Sequence, residues 1–374
     1  MSTHTDPQKY HGMKYRIYFA GLFLDAVLLA VLLFGGLSLA LRDYATGMIA
    51  HPWGAGALYI LLLAALFSVL HFPLRVFLGY YWEHLFGLSK QSFSQWLTDE
   101  LKKGVLSLGL SLVLAAVMYS LLEHAAQTWW IYTGLFWFAL SFVLAKLTPT
   151  VIVPLFYKYK DIEDSDLRAR IKKLFADARV KLGEVYAIDF SRKTVKANAF
   201  ICGLGGSRRV VLSDTLIDNY SGPEIATVVA HELGHHCHRD ILKMMAINSV
   251  LTFSGLYIID RILTHAVSYF GLNGIADIAG LPLLMLVFSV YSLFLTPLLN
   301  AVSCRMETAA DRYSLERTGD PRAFISVMEK LGRQNLAEFR PDKWIECFFY
   351  DHPPLARRIA FAREYRPEGG EGIT

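Results

Sequence analysis

Five residues carry the sharpest chemical signal in the chain: His231, Glu232, Leu233, Gly234 and His235. Positions four apart share one face of a helix, one turn above each other. His231 and His235 can therefore aim ring nitrogens at one metal ion. Glu232 stands beside the first of them, where a carboxylate reaches a water activated by the ion. Two imidazoles, a third ligand from elsewhere and a general base are the parts zinc proteases use. The third ligand expected is Glu307, in the run Cys304-Arg305-Met306-Glu307-Thr308-Ala309-Ala310-Asp311. Helical spacing puts Glu307 and Asp311 on one face, with small alanines between them that permit close approach of another helix. Asp311 is then placed to accept the outer N–H of a ligand histidine and fix its tautomer. His238 lies on the same face as His231 and His235. Three ligands on one straight helix cannot surround an ion tetrahedrally, and no glycine follows His235 to turn the chain. His236 and His238 read as polar residues near the helix end, where a cation favours the dipole.

The motif needs a helix, and the sequence specifies one. Ser221-Gly222-Pro223-Glu224 is a capping box with proline in the first turn, placed well ahead of His231. Upstream, Asp164–Arg179 reads as an amphipathic helix, with Leu167, Ile171, Leu174 and Phe175 at helical spacing. Glu184–Asp189, Val195–Cys202 and Arg208–Ser213 read as strands, the last two joined through Gly203-Leu204-Gly205-Gly206. Downstream, one helix starts at Asp320-Pro321 with Phe324, Val327, Met328 and Leu331 on its face. A second follows Asp351-His352-Pro353-Pro354. The Gly/Glu-rich residues 367–374 are expected to be disordered.

The rest of the chain is too apolar for water. Hydrophobic residues make up 54% of it and the mean hydropathy is +0.35, against about 45–50% apolar in soluble domains. The excess lies in runs that match the bilayer length of about 20 residues. These are Ile17–Leu41, Ala55–Leu74, Val105–Leu122, Trp129–Phe156, Met244–Ile259 and Leu281–Leu299. The first is long enough to span and lacks a cleavage site, so it reads as an anchor. Tyr81–Gln91 and Trp96–Lys103 read as polar or amphipathic stretches between spans. Lys and Arg gather at the N-terminus, after the second run and after the fourth. The positive-inside rule then puts both termini and residues 157–242 in the cytoplasm. Asp25, His71, Lys146, Asn248, Asp260 and Arg261 fall within spans and are expected to face water or protein.

Composition also excludes. A net charge of +4, with no basic run interleaved with aromatics, gives no nucleic-acid partner. The four cysteines form no C-x-x-C pair and read as reduced thiols. No internal repeat or matched pair of broken helices supports a transporter whose histidines merely bind metal.

With H-E-L-G-H followed by R-M-E-T-A-A-D, the chain resembles the membrane-embedded gluzincins of the type I CAAX prenyl endopeptidase family. Glu83–Ser92 with Trp96, Leu97 and Asp99 resembles that family's N-terminal membrane module. Asn198-Ala199-Phe200 resembles its substrate-binding edge strand, Val211–Leu216 the partner strand, and His352-Pro353-Pro354-Leu355 with Arg358 and Ile359 its C-terminal motif. The resemblance implies a mainly α polytopic fold. About six membrane helices, seven in eukaryotic members, would enclose a water-filled chamber capped by a small α+β zinc metalloprotease domain. It divides the chain into a membrane module (1–156), a cytoplasmic metalloprotease region (157–242), two further spans (243–300), a C-terminal catalytic region (301–366) and a tail (367–374).

One Zn²⁺ would sit on His231, His235 and Glu307, with Glu232 as general base and Asp311 behind a ligand. Asn198, Ala199 and Phe200 would pair with an extended substrate, and His352 and Arg358 would stabilise the oxyanion. The substrate implied is a peptide or protein with a prenylated CAAX C-terminus, met in the lipid bilayer. The membrane would be the inner membrane in a bacterium or the endoplasmic reticulum in a eukaryote. The alternative is a quality-control metalloprotease cutting unprenylated membrane proteins. Chain length and the Glu83–Ser92 module favour the first.

Overall fold

The computed structural model describes residues 6–203 and 208–366, and in it the apolar runs become helices longer than hydropathy marks. α1 (Pro7–Phe34) starts at Asp6, whose carboxylate accepts the N–H of Gln8. It stops at Gly35 and Gly36. Gly36 adopts φ +70°, a left-handed turn that glycine makes without Cβ strain, and α2 (Leu37–Met48) leaves at a new angle. The run expected as one span over Ile17–Leu41 is thus cut at this glycine pair. α3 (Pro52–Arg75) passes through a π-helical turn (Val76–Trp82) into the short α4 (Glu83–Leu85). Pro73 lies inside α3 and lacks an N–H, and the wider turn follows it.

α5 (Phe93–His124) begins in a capping box of Ser92 and Gln95 and runs 32 residues. Trp96–Lys103 is therefore the first part of the third span, not a separate stretch. α6 (Trp129–Leu147) loosens into π and 3₁₀ turns at Pro149 and Pro154.

The soluble part follows. β1 (Tyr159–Asp161), α7 (Ser165–Asp177), β2 (Val185–Ile188), β3 (Ala199–Cys202), β4 (Arg209–Ser213), α8 (Asp214–Asn219) and α9 (Gly222–Cys237) come in order. The sheet runs β1-β2-β4-β3, with β2 and β4 parallel and both outer pairs antiparallel. β1 was not foreseen, because three residues carry no alternation. The strand expected over Val195–Cys202 shortens to Ala199–Cys202. Ahead of it the backbone bonds elsewhere, Val195 N–H to the Leu88 carbonyl and Ala197 N–H to Asn335 Oδ1. Residues 204–207 of the glycine-rich connection and the 367–374 tail lie outside the described residues.

α10 (Asp240–Tyr269), α11 (Leu281–Thr318), α12 (Pro321–Gln334), α13 (Lys343–Phe349) and α14 (Leu355–Glu364) complete the chain. Asp260 and Arg261 do not interrupt α10. Asp260 is buried, accepts the Trp129 indole N–H at 2.7 Å and pairs with Arg261, so it is consumed in packing and does not face a chamber. Lys146 and Asn248 stand on exposed helix faces. Among the described residues, six helices are long and apolar enough to cross a membrane. Their outward faces carry Phe23, Val105 and Phe294, exposed in a way that suits lipid rather than water.

The metalloprotease part has its own core. Leu167, Ile171 and Phe175 of α7 meet Leu212 of β4, Val229 and Leu233 of α9, and Phe324 and Val327 of α12. Each such side chain contributes about 1.5–3 kcal/mol on burial. This core clamps α9 on the face away from its histidines.

Candidate metal centre

α9 begins where the capping box sets it: Glu224 Oε2 accepts the Ser221 N–H at 2.7 Å. The helix then packs against α11 at close range. A Cβ on Gly234 would stand 3.1 Å from Ala310 Cα, so glycine and alanine together set the spacing. Ser314 Oγ donates to the Thr227 carbonyl at 2.8 Å and fixes the register of the two helices.

At that contact His231, His235 and Glu307 converge, with one candidate ligand atom from each within 4.8 Å of the others. The Nε2 atoms of His231 and His235 are 3.2 Å apart. Each lies 3.1 Å from an oxygen of Glu307. These separations suit the edges of a tetrahedron, about 3.3 Å for an ion held at about 2.0 Å. The outer nitrogens are already engaged. His231 Nδ1 is 2.9 Å from Asp311 Oδ1, and His235 Nδ1 is 3.0 Å from Asp240 Oδ2. An ionised carboxylate only accepts, so each ring carries its proton on Nδ1 and turns the Nε2 lone pair inward. Glu307 Oε2 is buried and makes no hydrogen bond. Two converging lone pairs and a carboxylate oxygen without a hydrogen bond fit a divalent cation.

Burial works against a charged His231, but the Asp311 and Glu307 carboxylates beside it outweigh burial and lift the ring to about 9. Burial also pushes the Glu232 carboxylate up, against the opposing field of His231 and His235. A raised carboxylate pKa makes Glu232 a better proton acceptor.

Two expected residues occupy different positions from one another. His352 reaches the site: its Nε2 is 3.2 Å from Glu307 Oε1, while Nδ1 is 2.7 Å from Asp351. Arg358 is largely enclosed and directs Nε and Nη2 at Asp311, at 2.8 and 2.6 Å. Its donors hold the carboxylate that holds His231, a role the sequence reading had not given it.

β3 forms the free edge of the sheet and packs beside α9. The Asn198 carbonyl accepts the Ser213 N–H at 2.9 Å, so Asn198–Ser213 is a bonded pair. Antiparallel ladders alternate, which turns the backbone of Phe200 toward Val211 and that of Ala199 and Ile201 to the open edge. The Ala199 N–H is taken by Asn198 Oδ1 at 2.9 Å, leaving the Ala199 carbonyl and both Ile201 groups outward. Of the expected strand residues, Ala199 faces the open edge together with Ile201, while the Phe200 backbone faces Val211. A register signal exists in the sequence only once Ser213 is known to be the partner.

Residues 161–366 match the family model described as "Peptidase family M48", more than half of the chain. The chain belongs to peptidase family M48. Residues 1–158 match a second model, "CAAX prenyl protease N-terminal, five membrane helices". The five helices there of 12 residues or more are α1, α2, α3, α5 and α6, of which α2 is too short to cross. A Bacillus subtilis protein named "Uncharacterized metalloprotease YhfN" is 28% identical over 96% of this chain and 84% of its own length. A rice protein, "CAAX prenyl protease 1 homolog", is 30% identical over 77% of this chain and 68% of its own. The crystal structure of S. mikatae Ste24p superposes with TM-score 0.86 at 22% identity, over 96% of this chain and 88% of that one.

This M48 protein is therefore a multi-pass membrane metalloendopeptidase, with a fold like that of Ste24p, acting on a peptide or protein substrate in a membrane. The family implies a metal, generally zinc, and the His231–His235–Glu307 set is suited to it. A cavity of about 990 Å³ opens beside the centre. Its walls run from His352 and Arg358 to Asp25 and His71, which pair at 3.1 Å inside the first two spans.

Proposed function

We propose that this M48 peptidase cleaves near the C-terminus of prenylated, CAAX-type substrates. His231, His235 and Glu307 would hold one Zn²⁺. The cavity supports this reading: it runs from His352, which touches Glu307, to Asp25 and His71 within the spans, and so offers a lipid-modified end room beside the centre. The names of the relatives support the same substrate class. Residues 1–156 and 243–300 serve as the membrane module, and 157–242 with 301–366 as the catalytic part. The Lys and Arg distribution supports a cytoplasmic catalytic part and cytoplasmic termini.

A bound zinc would supply Lewis-acid polarisation of the scissile carbonyl and lower the pKa of water. Glu232 takes the proton of the attacking water and delivers it to the leaving amine. Asp311 and Asp240 hold the imidazoles in one tautomer, and Arg358 holds Asp311. His352 donates to the developing oxyanion from the cavity side. The open edge of β3 pairs with extended substrate.

The test is an assay of the purified protein in lipid nanodiscs, with bound zinc quantified. It is offered a farnesylated C-a-a-X peptide, the unprenylated twin and an unprenylated membrane-loop peptide. The farnesylated peptide should be cut fastest, and Glu232→Ala should keep zinc and lose turnover. Full turnover by zinc-loaded Glu232→Ala sinks the chemistry. Faster cutting of the loop peptide sinks the substrate class and favours a quality-control role.

A further inference from the structure

Glu83 ends the second span, far in sequence from the catalytic motif, yet it holds the chain leading into the edge strand. Its Oε2 accepts from Lys196 Nζ at 2.8 Å. Its Oε1 accepts from the Tyr10 hydroxyl and pairs with Lys14 Nζ at 3.0 Å. Lys14 also donates to the Tyr10 hydroxyl at 2.6 Å. Tyr10 is 1% exposed, while Lys14 and Lys196 keep about a third of their side chains exposed, so this knot is half-buried between α1, α4 and the soluble part.

Residues 195–197 form no strand. Several of their hydrogen bonds run to the membrane module and to other helices. Val195 N–H goes to the Leu88 carbonyl at 3.1 Å, and the Val195 carbonyl accepts from Gln334 at 2.6 Å. Thr215 Oγ1 donates to the Lys196 carbonyl at 2.8 Å. Lys193 reaches Asp99 at the start of the third span. Lys196 is the charged anchor nearest the strand, three residues before Ala199. One carboxylate serves two ammonium groups here. Without its charge the two cations remain close together in a half-buried site and repel. Glutamine keeps the shape but cannot balance them.

We infer that Glu83 is a positioning residue: through Lys196 it sets where the outward groups of β3 stand relative to His231, His235 and Glu307. The membrane module is then part of the substrate-binding device as well as its anchor. This rests on reading β3 as the strand that pairs with substrate. A displacement of about 1 Å at such a strand can cost up to about a hundredfold in efficiency.

The experiment uses full-length protein in nanodiscs, with Glu83→Gln, Lys196→Met, the double variant and Lys196→Arg. Each is assayed on a long peptide that can pair along β3 and on a short peptide lacking those residues. Glu83→Gln and Lys196→Met should each raise KM for the long peptide about tenfold, with kcat within about twofold. The short peptide and the zinc content should be unaffected. The double variant should match the singles, and Lys196→Arg should restore most of the loss. Equal losses on both peptides, or losses that multiply in the double variant, overturn the inference. Lys196→Met leaves Glu83 paired with Lys14 and Tyr10, so it decides the matter if Glu83→Gln folds poorly. Ile201→Pro separates the two readings. If it raises KM on the long peptide while Lys196→Met does not, only the inference fails. If neither does, pairing at β3 fails first.

Discussion

Asp240 Oδ2 stands 3.0 Å from His235 Nδ1, repeating on the second imidazole what Asp311 does for His231 at 2.9 Å. Asp240 opens α10, directly after Arg239 turns the chain at φ +58°. The same residue that starts the fifth span thus orients a ring on the preceding helix. Removing such a partner typically costs about 10–100-fold in metal affinity. Asp240→Ala should therefore weaken zinc binding by that order in competition with a chromogenic chelator. Asp240→Asn should lose less, since its amide oxygen still accepts. An Asp240→Ala protein that holds zinc like the parent contradicts the assignment.

Gly234→Ala pits two effects against each other. Alanine gains about 1 kcal/mol in helix propensity. Its Cβ, however, meets Ala310 Cα at 3.1 Å and Tyr313 Cβ at 3.2 Å. Backbone on the other helix cannot swing aside, and overpacking costs about 1–3 kcal/mol. Because α9 and α11 each bring ligands, the variant should lose zinc affinity and turnover while its Tm falls. A raised Tm with full activity would mean propensity wins.

The capping carboxylate should report on acid stability. Burial would raise Glu224, but Lys330 at 2.8 Å, Ser326 at 2.6 Å and the Ser221 N–H at 2.7 Å hold it at about 2. A folded pKa below the unfolded one stabilises above the unfolded value, here 4.5, and that gain is lost as pH falls toward 2. The difference is worth about 3 kcal/mol. Glu224→Gln should lower Tm at pH 7 and flatten its fall below about pH 5. Parallel Tm–pH curves for parent and variant would contradict this.

Ile201→Pro removes one outward N–H from an edge strand, a place where proline is tolerated. Stability should hold, while KM for an extended peptide rises about tenfold for the lost backbone hydrogen bond. Phe200→Pro strikes the bonded side facing Val211, so it should lower Tm instead. The reverse pattern would mean the ladder parity is wrong.

Much of this was legible before any coordinates. H-E-x-x-H spacing, the Ser221–Glu224 box and the Glu307–Asp311 pair depend on local helical geometry, which sequence encodes directly. The spans were visible as apolar runs, but their ends were not. Gly36 breaks one run, and Asp260 fails to break another because Trp129 satisfies it. The partnerships of Asp240, Arg358 and Glu83 arise between segments brought together only by folding. From the sequence Asp240 looks like an ordinary surface charge, Glu83 like one residue of the membrane module, and Arg358 like an oxyanion donor and not a brace for Asp311. The outward groups of β3 follow from register, which depends on Ser213.

α11 is unbroken from Leu281 to Thr318, and Glu307 rides on it beyond the apolar run that ends near Leu299. At 1.5 Å per residue this places the ligand about 12 Å further along the same rod. The centre therefore stands at a fixed distance beyond the apolar run, set by a count of residues. A scissile bond tethered to the bilayer must lie at matching length from its tether. A substrate one or two residues too short would fall beneath the centre, however well its side chains matched. Bilayer thickness, by tilting that rod, becomes a term in selectivity.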